Sequence, residues 1–409
     1  MIIPADRPAT LGIARSLGRR GIPVYGVDVD PMAVGMVSRY VRACPLPESD
    51  DSEEARLRYL IELGKRLPSK AVLYPVSDDD VMLCSRERRK LEEYYLYVMP
   101  DHSTVKDLVT KDGLHRIARE SGICTPTMLQ PRDEAELEAL SSQLAYPVIL
   151  KPVFSTSWLR PEITSMLRDN PLSSPPKVAL CHSGEELLQT FRKIAFFDPR
   201  MIVQEVIGGR DERLAYCCFY LDRQSRPLAI FAGRKLRVLP VGFGSATYVQ
   251  SMHDRELEEV SLRLLAGAKY QGLGGVEFKK DPRDEQYKLI EFNARFGLWD
   301  TLSIRCGIDI PYIAYRDALG QPVQAQHDYR DGIIWVDLQR DVRAFFIYHQ
   351  RHQWRLGDWL RTFRGEKEWA HYSPDDLKPA IIATVKTLER PWSSIKNGLA
   401  GAVLAKRAS

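Results

Sequence analysis

The stretch Gly272–Arg295, GLGGVEFKKDPRDEQYKLIEFNAR, decides the fold. It reads as two paired strands joined by the turn residues Asp281, Pro282, Arg283 and Asp284. Glu277 follows a glycine-rich approach, and the returning strand carries Glu291 and Asn293 two positions apart, hence on one face. The spacing of Glu277 and Glu291 suits antiparallel neighbours with a short loop, which brings all three onto one surface. Two carboxylates and an amide oxygen are hard donors that favour Mg²⁺, with Mn²⁺ as the alternative ion, alongside nucleotide phosphates. An ordinary hairpin with acidic residues turned to solvent is the competing reading. Arg295 tips the balance, because a guanidinium continuing that face beside a carboxylate–metal site points to phosphate handling.

Length and composition bound the rest. With 409 residues there is room for two or three domains, each with its own core. The formal net charge is only +4, so nothing demands nucleic acid as a partner. The basic run Arg86–Lys90 reads as a solvated helix face. Seven cysteines form no CxxC pair, which favours reduced, mostly structural thiols and a cytoplasmic setting. The start lacks the apolar core of a signal peptide, and the apolar part of GLAGAVLAK is too short to span a bilayer, so no membrane span is expected.

From the start, strand and helix patterns alternate: a helix over 10–20, the strand IPVYGVD, a helix over 52–66, the strand AVLYPV at 71–76, a helix over 79–93 and a strand over 95–99. Such alternation implies a parallel sheet covered by helices. The GxGxxG fingerprint is missing from the first strand–helix junction, which leaves a nicotinamide cofactor without support. Asp78 in PVSDDD is a candidate substrate contact, although capping of helix 79–93 is the simpler role. Residues 104–130 bridge to the next domain, with a helical break expected near Gly113 and Lys111 beside it as a point charge for phosphate. The buried strand in YPVILKPVFSTSW delivers Lys151 at its end, where the ammonium needs a partner such as phosphate. Residues 159–176 read as a loop or insertion, 177–181 as a strand and 183–197 as a helix. MIVQEVIGGRDERLAYCCFYLD supplies two strands around Gly208-Gly209. Its exit can offer backbone groups to an adenine edge and Asp211 or Glu212 to ribose, against a plain hairpin turn.

The succession Lys111, YPVILKP, IVQEVIGG and GVEF…LIEFNAR resembles the ATP-grasp superfamily, and within it the carboxylate–amine ligases that include D-aspartate ligase, over roughly residues 1–320. The resemblance implies an α/β chain, α+β in its ATP-binding part. A Rossmann-like domain would span 1–103 and a two-lobed ATP-grasp domain 104–320, with a small lobe near 125–206 and a large lobe near 207–320. Residues 321–409 would add a strand and a helical extension. It makes Lys111 and Lys151 the phosphate ligands, Glu205, Val206 and Ile207 the adenine strand, and Asp211 or Glu212 the ribose contact. Glu277, Glu291 and Asn293 become the Mg²⁺ ligands and Arg295 the group that steadies the transferred phosphoryl or acyl phosphate. In AGRKLRVLPVGFGSAT, Arg234 and Lys235 would face the acceptor carboxylate or phosphate, and Gly242 and Gly244 suit a loop lying close to a ligand. Two departures stand out. The loop after Lys151 lacks the superfamily's glycines, leaving the hydroxyls of Ser155, Thr156 and Ser157 as substitutes, and the first strand, MII, is short.

The resemblance thus implies an ATP-dependent ligase acting on a small-molecule carboxylate and amine, compatible with a homodimer. A carboxylate phosphorylated by ATP becomes an acyl phosphate that an amine attacks, with catalysis from positioning and charge stabilisation. The rivals are a catalytically silent ATP-binding regulatory subunit and a bicarbonate-activating enzyme of the biotin-carboxylase kind. Beyond 320, GIIWVDLQRD reads as a closing strand, 340–353 as a helix and 373–390 as a helix capped by Ser373. His349 and His352 share a helical face without an acidic or cysteine partner, which argues against zinc.

Overall fold

The computed structural model describes residues 1–47, 52–153, 158, 160–167 and 178–389. Ser155–Ser157, the expected phosphate-covering hydroxyls, lie outside the described residues, as does most of 159–176. The first sheet orders Val41–Pro45, Val24–Asp28, Ile2–Ile3 and Tyr74–Pro75, all parallel. Helices Pro8–Gly18 and Glu53–Arg66 lie between its strands in the chain, as parallel pairing requires. Serine caps start two of the helices: Ser52 accepts from Ala55 N and Ser77 from Asp80 N.

Several expectations need correction. The run 71–76 is not one strand: Ala71–Val72 pairs with Tyr95–Leu96, whereas Tyr74–Pro75 pairs with Ile2–Ile3. Helix 79–93 is two helices, Asp78–Arg86 and Arg88–Leu91, and its cap is Ser77, not Asp78. The next helical stretch breaks at Thr110, between His102–Val109 and Lys111–Glu120, not at Gly113. Gly113 lies inside the second helix, where a β-carbon would come within 2.4 Å of the Asp107 carbonyl oxygen, so its role is close packing of the two helices. The basic run is not all solvated, since Arg88 donates to the carbonyls of Met99 and Pro100.

The second sheet is antiparallel, in the order Met128–Leu129, Met201–Glu205, Val148–Pro152 and Ala179–Cys181. Val148, Leu150, Met201 and Val203 pack with Leu187 and Phe191 of helix Gly184–Ala195. Alternation therefore leaves Ile149, Lys151, Ile202 and Gln204 on the other face.

The third sheet has seven strands, ordered Tyr287–Asn293, Gly272–Lys280, Leu214–Leu221, Pro227–Leu239, Ser245–Ser251, Ile334–Val336 and Lys367–Trp369. Met201–Glu205 and Leu214–Leu221 thus belong to different sheets, so the Gly208-Gly209 segment links two lobes and is not a hairpin turn. Cys217, Phe219, Val276, Phe278, Leu289 and Phe292 share one core with Leu257 and Leu264 of helix Arg255–Gly267. On the opposite face Tyr216, Cys218 and Phe231 meet Phe296, Trp299 and Leu302, together with Ile13 of the first helix. That shared core joins the first sheet's layer to the large sheet.

The closing strand of GIIWVDLQRD is Ile334–Val336, followed by helix Leu338–Gln350 with Asp337 as its cap. The last described helix is Lys378–Glu389, so Ser373 does not cap it. Ser373 instead accepts from Arg19, while Asp376 pairs with the buried Arg15 at 3.0 Å, stapling this segment to the first helix. All seven cysteines are free and five are buried, as structural thiols would be. Among the described residues no helix is long and apolar enough to cross a membrane.

Candidate active site

The acidic hairpin is present, with Gly272–Lys280 and Tyr287–Asn293 antiparallel. Glu277 stands directly opposite Glu291, and Asn293 opposite Gly275. The register slips by one residue between the pairs Glu277/Glu291 and Phe278/Leu289, so Ile290 has no counterpart. This slip explains how Leu289 lies in the core while Glu291, two residues on, faces the site; an unbroken strand would place both on one face.

Both carboxylates meet lysines. Lys235, 5 % exposed, forms an ion pair with Glu277 across the sheet, and Lys111 Nζ lies 3.7 Å from Glu291. Lys111 is the first residue of its helix, while Glu291 lies near the end of a strand in another layer, so two separate layers converge at this point. Lys151 comes from the inner face of the small sheet and donates to the side-chain oxygen of Gln204. Its pKa is pushed down to about 7, first by burial and then by the charge of Lys111, with Glu291 opposing. Gln204 carried no signal in the sequence beyond being a polar residue at the end of an apolar run. Its role depends on the ladder, which puts Ile202 opposite Lys151 and Gln204 one alternation further on.

At the mouth between the small and large sheets, Glu205 accepts from Thr127 N at 3.0 Å and pairs with Arg283 at 2.6 Å. Val206 is half-buried and Ile207 fully buried. Asp211 and Glu212 differ sharply. Asp211 is buried, accepting from the Tyr348 hydroxyl at 2.6 Å and from Gly242 N at 3.1 Å, whereas Glu212 is exposed.

Arg295 donates from Nε to Asp78 at 2.8 Å, an ion pair between the first domain and the end of the hairpin. Asp78 therefore does reach the site, through a partner that its position in the sequence did not reveal. Arg234 does not reach it. Consecutive strand residues alternate faces, and Arg234 falls in register with Ala215, on the face that carries Phe278 and Leu289. The expectation that Arg234 and Lys235 both face the acceptor is corrected accordingly: Lys235 lies on the face of Glu277, and Arg234 is exposed on the other side.

The donor set fits a hard dication: two carboxylates and an amide on one face, with Lys235 and Lys111 paired to the carboxylates. Among the described residues no group of three or more His, Cys, Asp or Glu gathers, so the hairpin offers two carboxylates and its amide and no third acid. His349 is committed to the Trp354 carbonyl at 2.9 Å and to stacking on Phe345, which leaves it poorly placed to bind zinc.

Comparison with known proteins places this geometry in context. Residues 241–326 match the family model "Carbamoyl-phosphate synthase L chain, ATP binding domain". The chain is 26 % identical over 297 residues to D-aspartate ligase of Enterococcus faecium (strain Aus0004), covering 70 % of this chain and 68 % of that one. Among solved structures it resembles the L-amino acid ligase from Bacillus licheniformis (TM-score 0.56, 17 % identity, 79 % of this chain and 74 % of that one). It also resembles the biotin carboxylase domain dimer of Hydrogenobacter thermophilus 2-oxoglutarate carboxylase in complex with MgADP and bicarbonate (TM-score 0.58, 14 % identity, 81 % and 72 %).

Proposed function

The chain is an ATP-grasp protein, and from that premise we propose that it is an ATP-dependent ligase joining a carboxylate to an amine through an acyl phosphate, releasing ADP and phosphate. The observation that carries the reading is the convergence of Lys111 on Glu291 opposite Glu277, with Lys151 nearby: acidic metal donors facing phosphate-seeking lysines from two other elements. In this reading Glu277, Glu291 and Asn293 would hold Mg²⁺, which supplies charge neutralisation at the phosphates. Lys111 and Lys151 take phosphate oxygens, and Glu205, Val206 and Ile207 border the adenine. Asp211 is already committed to Tyr348 and Gly242, which leaves Glu212 as the exposed acid for the ribose. Lys235 and Arg295 face the transferred phosphoryl group and the acyl phosphate, so the protein's work is positioning and electrostatics.

Its relatives include one ligase of an amino acid by sequence and one by structure, which supports an amino acid as the carboxylate. Purified chain with ATP and Mg²⁺ should release phosphate and form a hydroxamate when amino acids and other carboxylates are offered with hydroxylamine. Glu291→Gln should abolish this, at least about 100-fold, with an unchanged circular dichroism spectrum. ATP binding without phosphate release across the whole panel would favour a silent nucleotide-binding subunit, and release with bicarbonate alone would favour the carboxylase reading.

A further inference from the structure

No ligase step uses the outer surface of the C-terminal extension. Fourteen large apolar side chains are exposed among the described residues, and nine of them lie between Leu338 and Leu388. Helix Lys378–Glu389 holds the clearest pattern. Its inner side is occupied: Ala383 packs with Leu11 and Val34, and Lys386 pairs with Asp30. Its outer side carries Ile381, Val385 and Leu388, with Leu377 just before the helix, each at least 43 % exposed. At about 100° per residue these four fall within about 80° of arc, one stripe about three turns long. Beside the stripe Gln339 donates to Thr384 at 3.3 Å, and Phe346, two turns further along the same side of helix Leu338–Gln350, is exposed as well. An apolar face of this extent marks an interaction site.

Charge narrows the partner. The formal net charge of the whole chain is +4, and residues 390–409 account for all of it, with Arg390, Lys396, Lys406 and Arg407 and no Asp or Glu. The same stretch sets Trp392, Ile395, Leu399 and Val403 at separations of three, four and four, the rhythm of the stripe before them. Glu389 is the only acid in the sequence of helix Lys378–Glu389, and Arg390 follows it directly. Apolar residues at helical spacing, with cations and almost no acid, are the pattern of segments that lie in the surface of an anionic bilayer. No described helix is long and apolar enough to cross one, so the pattern points to lying on the surface and not through it.

We propose that the outward stripe of helix Lys378–Glu389, continued by residues 390–409, docks the protein on an anionic lipid bilayer. The stripe offers apolar area to the acyl boundary and the tail offers cations to the headgroups, so one partner meets both needs. A second copy across a two-fold axis would cover the stripe, but it would bring the same four cations of both chains to one interface. The tail folded back on the stripe would cover apolar area with apolar area and leave its cations without a partner. This docking surface is independent of the ligase reading, since none of its residues belongs to the active site.

Flotation of the full chain with vesicles tests the assignment. The chain should rise with phosphatidylcholine vesicles containing about one quarter phosphatidylglycerol, stay behind with phosphatidylcholine alone, and be released at about 0.5 M salt. Ile381→Asp with Leu388→Asp should weaken binding to the anionic vesicles by about tenfold or more, and Lys406→Gln with Arg407→Gln by about threefold to tenfold, with circular dichroism unchanged. No binding to anionic vesicles, or equal binding by wild type and both variants, overturns the proposal. Maleimide labelling of Ile381→Cys, read on its own peptide by mass spectrometry, separates the occupants. Fast labelling in solution that slows with anionic vesicles supports the bilayer. Slow labelling without vesicles means that the tail or a second copy already covers the stripe and overturns the proposal, as does fast labelling that bound vesicles do not slow.

Discussion

Lys151 shows how much a single residue's surroundings decide. In the sequence it is a lysine at the end of an apolar strand; in the fold it is buried on the inner face of the small sheet with Gln204 as its partner. Its folded pKa of about 7 lies well below the usual lysine value of about 10.4, so between these limits the unfolded chain binds more protons than the native one. This residue therefore makes the ligand-free protein more stable as pH rises from about 7 to about 10. Lys151→Met should flatten that rise, as read from urea midpoints at the two ends of the window. Lys235 and Arg234 part company at the same scale. The resemblance assigned both to the site, but strand alternation allows only one, and Lys235 is the one buried against Glu277. Arg234→Ala should leave hydroxamate formation within about threefold of wild type, while Lys235→Met should cut it by about tenfold or more. Similar losses in both variants would contradict the division of faces.

At the scale of elements, the hairpin was legible because its signals are local: period-two alternation, turn residues and two carboxylates at matching distances from the turn. What was not legible is the one-residue slip at Ile290, since a bulge is settled by the partner strand and by which side chains the core accepts. The Gly208-Gly209 segment was equally ambiguous. A glycine pair between two apolar runs reads as a hairpin turn, and only the pairing of each run with strands elsewhere makes it a link between lobes. The loop after Leu239 gains its support from further away still. Tyr348, on a helix of the C-terminal extension, donates to Asp211 and accepts from Val238 N, while Asp211 also accepts from Gly242 N. Tyr348→Phe should therefore loosen this loop, raising the KM for ATP by about threefold to tenfold and speeding proteolysis between 239 and 245. An unchanged KM would mean that the extension does not support the nucleotide side.

Across the whole molecule, the C-terminal segment is built into the other parts. Its two strands complete the seven-stranded sheet, and Asp341 of helix Leu338–Gln350 meets Arg237 of that sheet in a fully buried pair with contacts of 2.8 Å. Arg237 is also held between the rings of Tyr248 at 3.9 Å and Trp354 at 4.9 Å. Removing one partner of such a pair strands a buried charge, so Asp341→Ala should cost about 3–5 kcal/mol in guanidinium unfolding. A loss below about 1 kcal/mol would show that the guanidinium finds water instead.

The sequence by itself determined the order of the elements, the class of the fold and the identity of the acidic hairpin, because helix and strand periodicity, turn chemistry and the succession of motifs are written within a few residues of one another. Only the tertiary structure decided which layers meet. The approach of Lys111 to Glu291, the ion pair of Asp78 with Arg295 and the hold of Tyr348 on Asp211 span long separations along the chain. So does the packing of Tyr216 against Gly275 and Gly297. Such contacts depend on how sheets and helices pack, and a charge reveals its partner only when burial leaves it no water to turn to.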